Sequence, residues 1–160
     1  MIRTGLGIDS HRLETGRALI LGGVDIPNEE GLAGHSDADV LTHAIIDALL
    51  GAAGLGDIGQ HFPDTDPEYE DADSLHLLRE VVIFLGQNGF RVMHVDATVM
   101  MERPKLAPYR DAIRSTLAAA LGAGLGHVNV KATTGEGMGF VGRGEGVAAM
   151  AVATVDREDG

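Results

Sequence analysis

The sequence predicts an α+β fold, a single domain in which helices pack on one face of a mixed β-sheet. The first observation behind this prediction is the order of strand-like and helical stretches, which is ββ-α-α-β-α-ββ along the chain. The second is size, because 160 residues with 44% apolar side chains can bury ~70% of the unfolded surface around one core. The third is continuity: neither a linker nor a fixed repeat divides the chain. The predicted domain therefore spans residues 1–160.

The first half of the chain predicts two strands and one helix. Ile2–Asp9 and Ala18–Ile26 have strand-like composition, and the second of them contains the turn-like pair Gly22-Gly23. Ser36 is the expected N-cap of the helix, since Asp39 follows three residues later. An apolar stripe then recurs at helical spacing, formed by Val40, Leu41, Ala44, Ile45, Ala48, Leu49 and Ala52.

The second half of the chain begins with a long loop, Gly54–Pro67. It is rich in Gly, Asp and Pro, and long ordered loops are often functional. Apolar periodicity and helix stop signals define the elements that follow. In order, these are a helix from Asp73 to Gly89, a strand at Arg91–Met101, a helix from Pro104 to Gly122, and strands at His127–Thr134 and Val147–Val155.

The composition excludes several classes of protein. With 24 acidic residues against 12 Lys and Arg, the net charge is −12, so the chain lacks the clustered cations that hold nucleic acid or an anionic membrane. No run approaches the ~18 apolar residues of a transmembrane helix. The N-terminus opens directly into strand-like sequence, so we expect a cytoplasmic, bacterial-type protein without a signal or transit peptide. The absence of cysteine leaves only N and O ligands for a metal.

Acidic residues and histidines are concentrated in one stretch. Residues 18–78 hold 13 acids and four histidines but neither Lys nor Arg. A solvated acidic surface is one interpretation of this stretch. A metal environment is the other, because imidazole and carboxylate together suit zinc and similar divalent ions.

Asp9, His11 and His43 are the candidate metal ligands. Asp9 and His11 lie two residues apart at the end of the first strand, so their side chains point to the same side. His43 lies on the polar face of the first helix together with Asp39 and Asp47. Three ligands would leave one position open on a tetrahedral zinc, which is typical of catalytic sites. An Asp-x-His triplet is also common by chance, and that alternative stays open.

Three further segments are candidates for phosphate binding. His35-Ser36-Asp37 precedes the first helix, whose free N–H groups attract anions, although a simple cap explains Ser36 equally well. Lys131–Glu136 offers a cation, two hydroxyls and a carboxylate that suits Mg²⁺, or else a surface lysine and β-forming threonines. Arg103-Pro104-Lys105 places two cations at a helix start, which suits a nucleotide phosphate or a solvated helix end.

Seven segments are informative in combination. They are Gly7-Ile8-Asp9-Ser10-His11, Gly34-His35-Ser36-Asp37-Ala38-Asp39, His43, Gly56-Asp57-Ile58-Gly59, Phe62-Pro63-Asp64-Thr65-Asp66-Pro67, Val130-Lys131-Ala132-Thr133-Thr134 and Gly142-Arg143-Gly144-Glu145-Gly146. Together they resemble the 2-C-methyl-D-erythritol 2,4-cyclodiphosphate synthase family of the non-mevalonate isoprenoid pathway, nearly from end to end. The chain differs from the family pattern at Met101-Glu102-Arg103, Tyr109 and Gly137.

The resemblance implies a metal-assisted site. It implies that Asp9, His11 and His43 bind Zn²⁺ or another divalent transition metal, and that Glu136 holds Mg²⁺ or Mn²⁺ with the substrate diphosphate. It also implies that His35 and Thr134 are catalytic and stabilise the transition state. The residues implied to bind substrate are Asp9, His11, His35, Ser36, Asp57, Ile58, Gly59, Phe62, Pro63, Asp64, Thr65, Asp66, Met101, Lys105, Leu106, Ala107, Thr133, Thr134, Glu136, Phe140 and Arg143.

The same resemblance implies a reaction and an assembly. In the implied phosphorus–oxygen lyase reaction, 4-diphosphocytidyl-2-C-methyl-D-erythritol 2-phosphate, a small cytidine diphosphate substrate, yields 2-C-methyl-D-erythritol 2,4-cyclodiphosphate and CMP. The resemblance further implies a homotrimer with active sites between subunits, and an isoprenoid diphosphate in a central cavity near Phe140 and Arg143. Two alternatives stay open: a metal-dependent phosphoesterase, and a binding module for isoprenoid diphosphates or metals.

Overall fold

A five-stranded mixed sheet forms the centre of the molecule, in a computed structural model that describes residues 1–158. The predicted α+β class is confirmed; Asp159 and Gly160 of the predicted domain lie outside the described residues. The strands are β1 (Ile2–Thr15), β2 (Leu19–Leu21), β3 (Val24–Ile26), β4 (Glu30–Leu32), β5 (Phe90–Met100), β6 (Val128–Thr133) and β7 (Gly146–Arg157). The sheet order is β4-β1-β7-β5-β6, with β5 and β6 parallel and the other pairs antiparallel.

Residues 1–158 contain five α-helices. They are α1 (Val40–Ala53), α2 (Ile58–His61), α3 (Ser74–Gln87), α4 (Arg110–Leu121) and α5 (Gly139–Gly142). The three long helices cover one face of the sheet: α1 crosses strands β1 and β7, α3 packs beside α1 over β5, and α4 packs beside α3 over β6. The core forms where α1 meets the inward residues of the sheet, such as Val95, Ala151 and Val155. Among residues 1–158, no helix is both long and apolar enough to cross a membrane.

Two glycines of β1 allow helix α1 to approach the sheet closely. A Cβ built on Gly7 would lie 1.8 Å from the carbonyl oxygen of Ala44, and one built on Gly5 would lie 2.1 Å from that of Ala48. Any side chain at these positions would therefore push the helix away. Because His43 precedes Ala44 on α1, this close contact also brings His43 next to the end of β1.

The predicted second strand is two strands. Gly22 and Gly23 both adopt positive φ, 57° and 75°, and they reverse the chain between β2 and β3. Two consecutive residues of positive φ are typical of a tight hairpin turn, for which glycine has no steric cost. The hairpin forms its own two-stranded sheet, and β4, which the sequence did not reveal, pairs with the end of β1.

Two predicted helix starts are wrong. Helix α1 is capped by Asp39, which accepts a hydrogen bond from the Thr42 amide, because Ala38 has a left-handed φ of 57° that interrupts helical geometry after Ser36. Helix α4 begins at Arg110 and not at Pro104. A helix starting at Pro104 would place Pro108 where its missing N–H leaves the Pro104 carbonyl without a donor and its ring clashes with that carbonyl.

The other face of the sheet is exposed along the middle of β1 and β7. Side chains of β1 and β7 on that face are apolar and exposed, namely Leu6 (56%), Ile8 (58%), Met150 (40%) and Val152 (44%). These residues are cross-strand neighbours, since Ile8 pairs with Met150 and Leu6 with Val152. We call this set the open sheet face.

Candidate functional site

Three predicted metal ligands meet at the end of β1. Asp9 Oδ2 lies 2.9 Å from His11 Nε2 and 3.1 Å from His43 Nδ1, and the two ring nitrogens are 3.3 Å apart. Within residues 1–158, these three side chains are the group of histidine and acidic residues whose ligating atoms all lie within 4.8 Å of one another. The prediction that β1 and α1 bring these three side chains together is confirmed.

Hydrogen bonds orient both imidazole rings toward the carboxylate. His11 Nδ1 lies 3.0 Å from the carbonyl oxygen of Ala33, so it donates there and leaves Nε2 to face Asp9. His43 Nε2 lies 2.8 Å from Ser74 Oγ and 3.2 Å from Ser36 Oγ, on the ring side opposite to Nδ1. Such outer contacts are typical of histidines that bind a metal.

The electrostatics of the group favour a cation. Burial raises the pKa of Asp9, but hydrogen bonding and charge attraction from His11 and His43 outweigh that effect and lower it to about 2. Burial lowers the pKa of His11, but the hydrogen bond to Asp9 and its charge outweigh this and raise it. The three atoms thus share an affinity for positive charge, which either protons or a metal ion can satisfy.

The residues fit a divalent metal ion. With His11 donating through Nδ1, its Nε2 presents a lone pair, and it faces an ionised carboxylate oxygen at 2.9 Å. Electron pairs aimed at one point repel one another unless a cation lies between them. One carboxylate and two imidazoles are also a common ligand set for zinc and similar ions.

The three ligands open into a cavity of about 450 Å³. Its lining includes eight further residues that the resemblance placed at the site or in its motifs. The whole lining comprises Asp9, His11, Gly34, His35, Ser36, His43, Asp47, Ile58, Gly59, Phe62, Pro63, Asp64, Tyr69 and Leu77. His35 donates through Nε2 to the carbonyl oxygen of Asp66 at 3.0 Å, which ties this histidine to the loop that forms the far wall.

Internal contacts order the loop that closes this cavity. Asp57 caps α2 in a capping box with Gln60, and Asp47 of α1 accepts a 2.7 Å bond from the Ile58 amide. Phe62 packs edge-on against Tyr69, with ring centroids 5.3 Å apart. Asp57, Thr65 and Asp66 are thus positioned next to the cavity but do not line it, and Asp66 contributes through its backbone carbonyl.

A second cavity of about 200 Å³ collects the residues predicted for the nucleotide. Its walls are formed by the segment between β5 and α4 and by the end of β6. They comprise Met101, Glu102, Pro104, Lys105, Leu106, Ala107, Arg110, Ala132, Thr133 and Thr134. Thr134 and His35, the predicted catalytic pair, therefore line different cavities of one chain. Glu136 is exposed in the loop beyond Thr134, with a left-handed φ of 53°, and is not part of the Asp9 group.

The two residues predicted near a central cavity line neither of these two cavities. Phe140 is exposed and lines a third cavity of about 200 Å³ with Ser10, His11, Arg12, Glu145 and Gly146. The Arg143 guanidinium forms an exposed ion pair with Glu145, in which Nε lies 2.8 Å from Oε1.

Several residues of the site were not predicted from the sequence. Tyr69 and Leu77 line the main cavity, and Ser74 contacts His43. Ser74 and Leu77 lie in a segment whose sequence indicated only a helix, and Tyr69 lies in a stretch of turn residues. Of the two carboxylates placed beside His43 on the helix, Asp47 lines the main cavity. The Asp39 carboxylate is buried and accepts bonds from the amides of Gly22 and Gly23 and from the Thr42 hydroxyl.

Fold and site together define a class of protein. In an α+β domain, an Asp-His-His group that could hold a metal ion and opens into a cavity is the arrangement expected of a metal-assisted enzyme. A model of the YgbB family matches residues 2–156. The chain belongs to this family, that of the 2-C-methyl-D-erythritol 2,4-cyclodiphosphate synthases.

Individual relatives agree over almost the whole chain. The 2-C-methyl-D-erythritol 2,4-cyclodiphosphate synthase of Salinibacter ruber is 60% identical over 96% of this chain and 98% of its own. The bifunctional IspDF of Campylobacter jejuni is 43% identical with a TM-score of 0.95, over 99% of this chain and 43% of that longer chain. A 2C-methyl-D-erythritol-2,4-cyclodiphosphate synthase solved in a CDP-bound form is 40% identical with a TM-score of 0.89, over 96% of this chain and all of that one.

Proposed function

We propose that the chain converts 4-diphosphocytidyl-2-C-methyl-D-erythritol 2-phosphate into 2-C-methyl-D-erythritol 2,4-cyclodiphosphate and CMP. An oxygen of the 2-phosphate attacks the β-phosphorus, a new P–O bond closes the ring, and the bond from the β-phosphorus to the bridging oxygen breaks. The α-phosphate leaves as part of CMP, so the enzyme is a phosphorus–oxygen lyase. The nucleophile is already anionic, and no strong protein base is required.

The observation that carries this proposal is the opening of the Asp9, His11 and His43 group into the main cavity. Its ligating atoms point at one place, and the cavity of about 450 Å³ is large enough for a phosphorylated C5 polyol. A zinc ion bound by these residues would supply charge neutralisation and Lewis acidity toward a phosphate oxygen. The ligands themselves orient that oxygen because β1 and α1 hold them rigidly.

Residues around the group would bind the erythritol portion and exclude water. His35 and Ser36 line the cavity, where the Ser36 hydroxyl can donate to a phosphate oxygen, and His35 would do so with its Nε2 hydrogen once that hydrogen is released from the Asp66 carbonyl. Ile58, Phe62 and Pro63 supply an apolar wall, while Asp57, Gly59, Asp64, Thr65 and Asp66 provide the polar groups of the closing loop. Holding the two phosphates together in this way can lower the barrier by ~7–11 kcal/mol.

The second cavity would receive the cytidine nucleotide. Lys105 supplies a cation for the α-phosphate, Thr133 and Thr134 supply hydroxyls, and Met101, Leu106 and Ala107 form an apolar floor. Support comes from the related synthase, which was solved with CDP bound. Glu136 would hold Mg²⁺ or Mn²⁺ with the diphosphate, and Thr134 would pair with His35 to stabilise the transition state.

The separation of the two cavities supports an active site between subunits. His35 lines one cavity and Thr134 another, yet the proposed reaction needs both near one phosphorus. Two copies can satisfy this requirement if each contributes one half of every site. The open sheet face offers an apolar surface for such an assembly, and we propose a homotrimer packed through it.

An isoprenoid diphosphate is a further proposed ligand. The exposed Phe140 ring is suited to an apolar chain, and the Arg143 guanidinium to a diphosphate. In the single chain Arg143 is paired with Glu145, so an anionic ligand would have to compete with that carboxylate.

The experiment is a product assay with ³¹P NMR. The protein, loaded with Zn²⁺ and Mg²⁺, is incubated with the diphosphocytidyl 2-phosphate substrate. CMP and a cyclic diphosphate are expected in equal amounts. A linear product carrying ¹⁸O from solvent would instead identify a phosphoesterase. Ligand binding without turnover, unaffected by Asp9→Asn, would identify a binding module.

A further inference from the structure

A chain of hydrogen-bonded side chains runs from the metal-binding group through the buried Ser74 to the half-buried Asp37. Ser74 is fully buried at the start of α3, and its Oγ lies 2.8 Å from His43 Nε2. The same Oγ is hydrogen-bonded to Asp37 Oδ1. Asp37, Ser74 and His43 thus connect the loop before α1, helix α3 and helix α1.

The direction of each hydrogen bond in this chain is determined. An ionised carboxylate only accepts, so the Ser74 hydroxyl donates its single hydrogen to Asp37. Ser74 Oγ can then only accept from the ring, which requires a hydrogen on His43 Nε2. In a neutral imidazole the other nitrogen is then an acceptor. Nδ1 of His43, which lies 3.1 Å from Asp9 Oδ2, is therefore the nitrogen with the free lone pair.

Helix capping does not account for the Ser74 hydroxyl. The N-cap of α3 is Asp73, whose carboxylate accepts from the Leu75 amide. Asp37 in turn is fixed independently of the hydroxyl, because its Oδ2 accepts from the Ser74 amide at 3.0 Å and its Oδ1 from the Asp39 amide at 3.1 Å. The contact of the Ser74 hydroxyl with His43 is therefore not explained by the capping of helix α3.

We propose that Ser74 and Asp37 are positioning residues for the metal ligand His43. Asp37 holds the Ser74 hydroxyl, Ser74 holds the Nε2 hydrogen of His43, and the ring is kept in the tautomer and orientation in which Nδ1 can bind a metal. Ser36 Oγ, at 3.2 Å, offers a more distant acceptor to the same nitrogen. The inference rests on the proposed metal site at Asp9, His11 and His43.

The test is the affinity for zinc alone, measured by competition with a chromogenic chelator. Loss of an outer hydrogen-bond partner costs a metal site about 10–100-fold in affinity. We expect Ser74→Ala to weaken zinc binding within that range, and Asp37→Asn to weaken it in the same direction. Because both residues act through one hydroxyl, the double variant should bind zinc about as weakly as Ser74→Ala alone. The Co²⁺-substituted protein should also show a shifted visible spectrum in Ser74→Ala.

Thr42→Val is the matched control. It removes a buried hydroxyl next to His43 in sequence, but that hydroxyl donates to Asp39 and does not contact the metal-binding group. It should lower thermal stability and leave zinc affinity unchanged.

The possible outcomes distinguish a failure of the proposed metal site from a failure of the positioning role of Ser74 and Asp37. A wild-type protein that does not bind zinc would overturn the proposed metal site. Wild-type binding with unchanged affinity in folded Ser74→Ala would overturn the positioning role. If that variant does not fold, unchanged affinity in Asp37→Asn, which preserves side-chain shape, overturns the role in the same way.

Discussion

At the scale of single residues, the Asp9 carboxylate is the centre of the site. It contacts both His11 and His43, and hydrogen bonds and charge from these rings lower its pKa to about 2 although burial acts in the opposite direction. Its neighbours on β1 are held by the sheet, so a change at Asp9 alters charge without altering the fold. The residue is therefore suited to testing the metal site separately from stability.

Asp9→Asn should lose zinc and turnover while the helices persist. The amide keeps the shape of the carboxylate but removes its charge, so zinc affinity should fall by more than the ~10–100-fold expected for an outer partner. Elemental analysis measures the bound zinc, and circular dichroism measures the helix content. His76→Ala, at an exposed histidine that pairs with Glu80, is the control and should retain zinc. Full zinc occupancy in Asp9→Asn would refute the ligand assignment.

Glu136→Gln should change the dependence on Mg²⁺ and spare zinc. Glu136 is exposed and lies outside the Asp9 group, so its carboxylate is free to bind a second ion with the substrate diphosphate. The midpoint of a Mg²⁺ titration of activity should rise roughly tenfold when the charge is removed. Glu14→Gln, at another exposed glutamate, serves as the control. An unchanged midpoint would count against the proposed role.

At the scale of elements, the distance between β1 and α1 determines the site. Asp9 and His11 belong to the strand and His43 to the helix, and only the absence of side chains at Gly5 and Gly7 lets the two elements touch. In the segment Gly7–His11, Gly7 thus allows helix α1 to pack closely, while Asp9 and His11 supply the ligating atoms.

Gly7→Ala should impair stability and zinc binding together. Its Cβ would lie 1.8 Å from the carbonyl oxygen of Ala44, which is backbone and cannot rotate away. Overpacking of this kind costs about 1–3 kcal/mol. Gly51→Ala is the matched control in α1, because its Cβ would meet only atoms 3.9 Å away. It should stabilise the helix by ~0.5–1 kcal/mol. Denaturant unfolding would measure the free energy of unfolding of both variants. A Gly7→Ala protein as stable as the wild type would contradict the packing argument.

Local patterns predicted the elements, and long-range contacts explain what they missed. Alternation along β1 placed Asp9 and His11 on one face, and helical periodicity placed His43 on α1, so the metal-binding group followed from local rules. The contact of Ser74 with His43 spans 31 residues and depends on how α3 docks, which no local pattern records. Ser36 looked like a cap because Asp39 follows it, but the left-handed Ala38 between them moves the cap to Asp39.

At the scale of the whole molecule, the open sheet face is the feature a single chain does not explain. Its apolar side chains remain exposed although the opposite face is covered by helices. If copies of the chain pack through it, Val152→Glu should convert particles of three times the 16.7 kDa chain mass into single chains, as measured by light scattering. Ile83→Glu, at an exposed apolar residue of α3, should leave the mass unchanged.

The loss of assembly should separate metal binding from catalysis. Asp9, His11 and His43 come from one chain, so dissociated Val152→Glu should still bind zinc. Thr134 lines a different cavity, so the same protein should lose turnover. Full turnover by single chains would show that the site is complete within one copy.

Mixing two inactive variants tests whether each site is shared between copies. Asp9→Asn damages only the metal-binding half of a site, and Thr134→Ala damages only the nucleotide half. When equal amounts are unfolded and refolded together, chains assort at random in the homotrimer. Each shared site then receives an intact metal-binding half with a probability of one half, and an intact nucleotide half with the same probability. Activity should therefore return to about a quarter of the wild-type value. A site built within one chain would gain nothing from mixing, because every chain carries one damaged half.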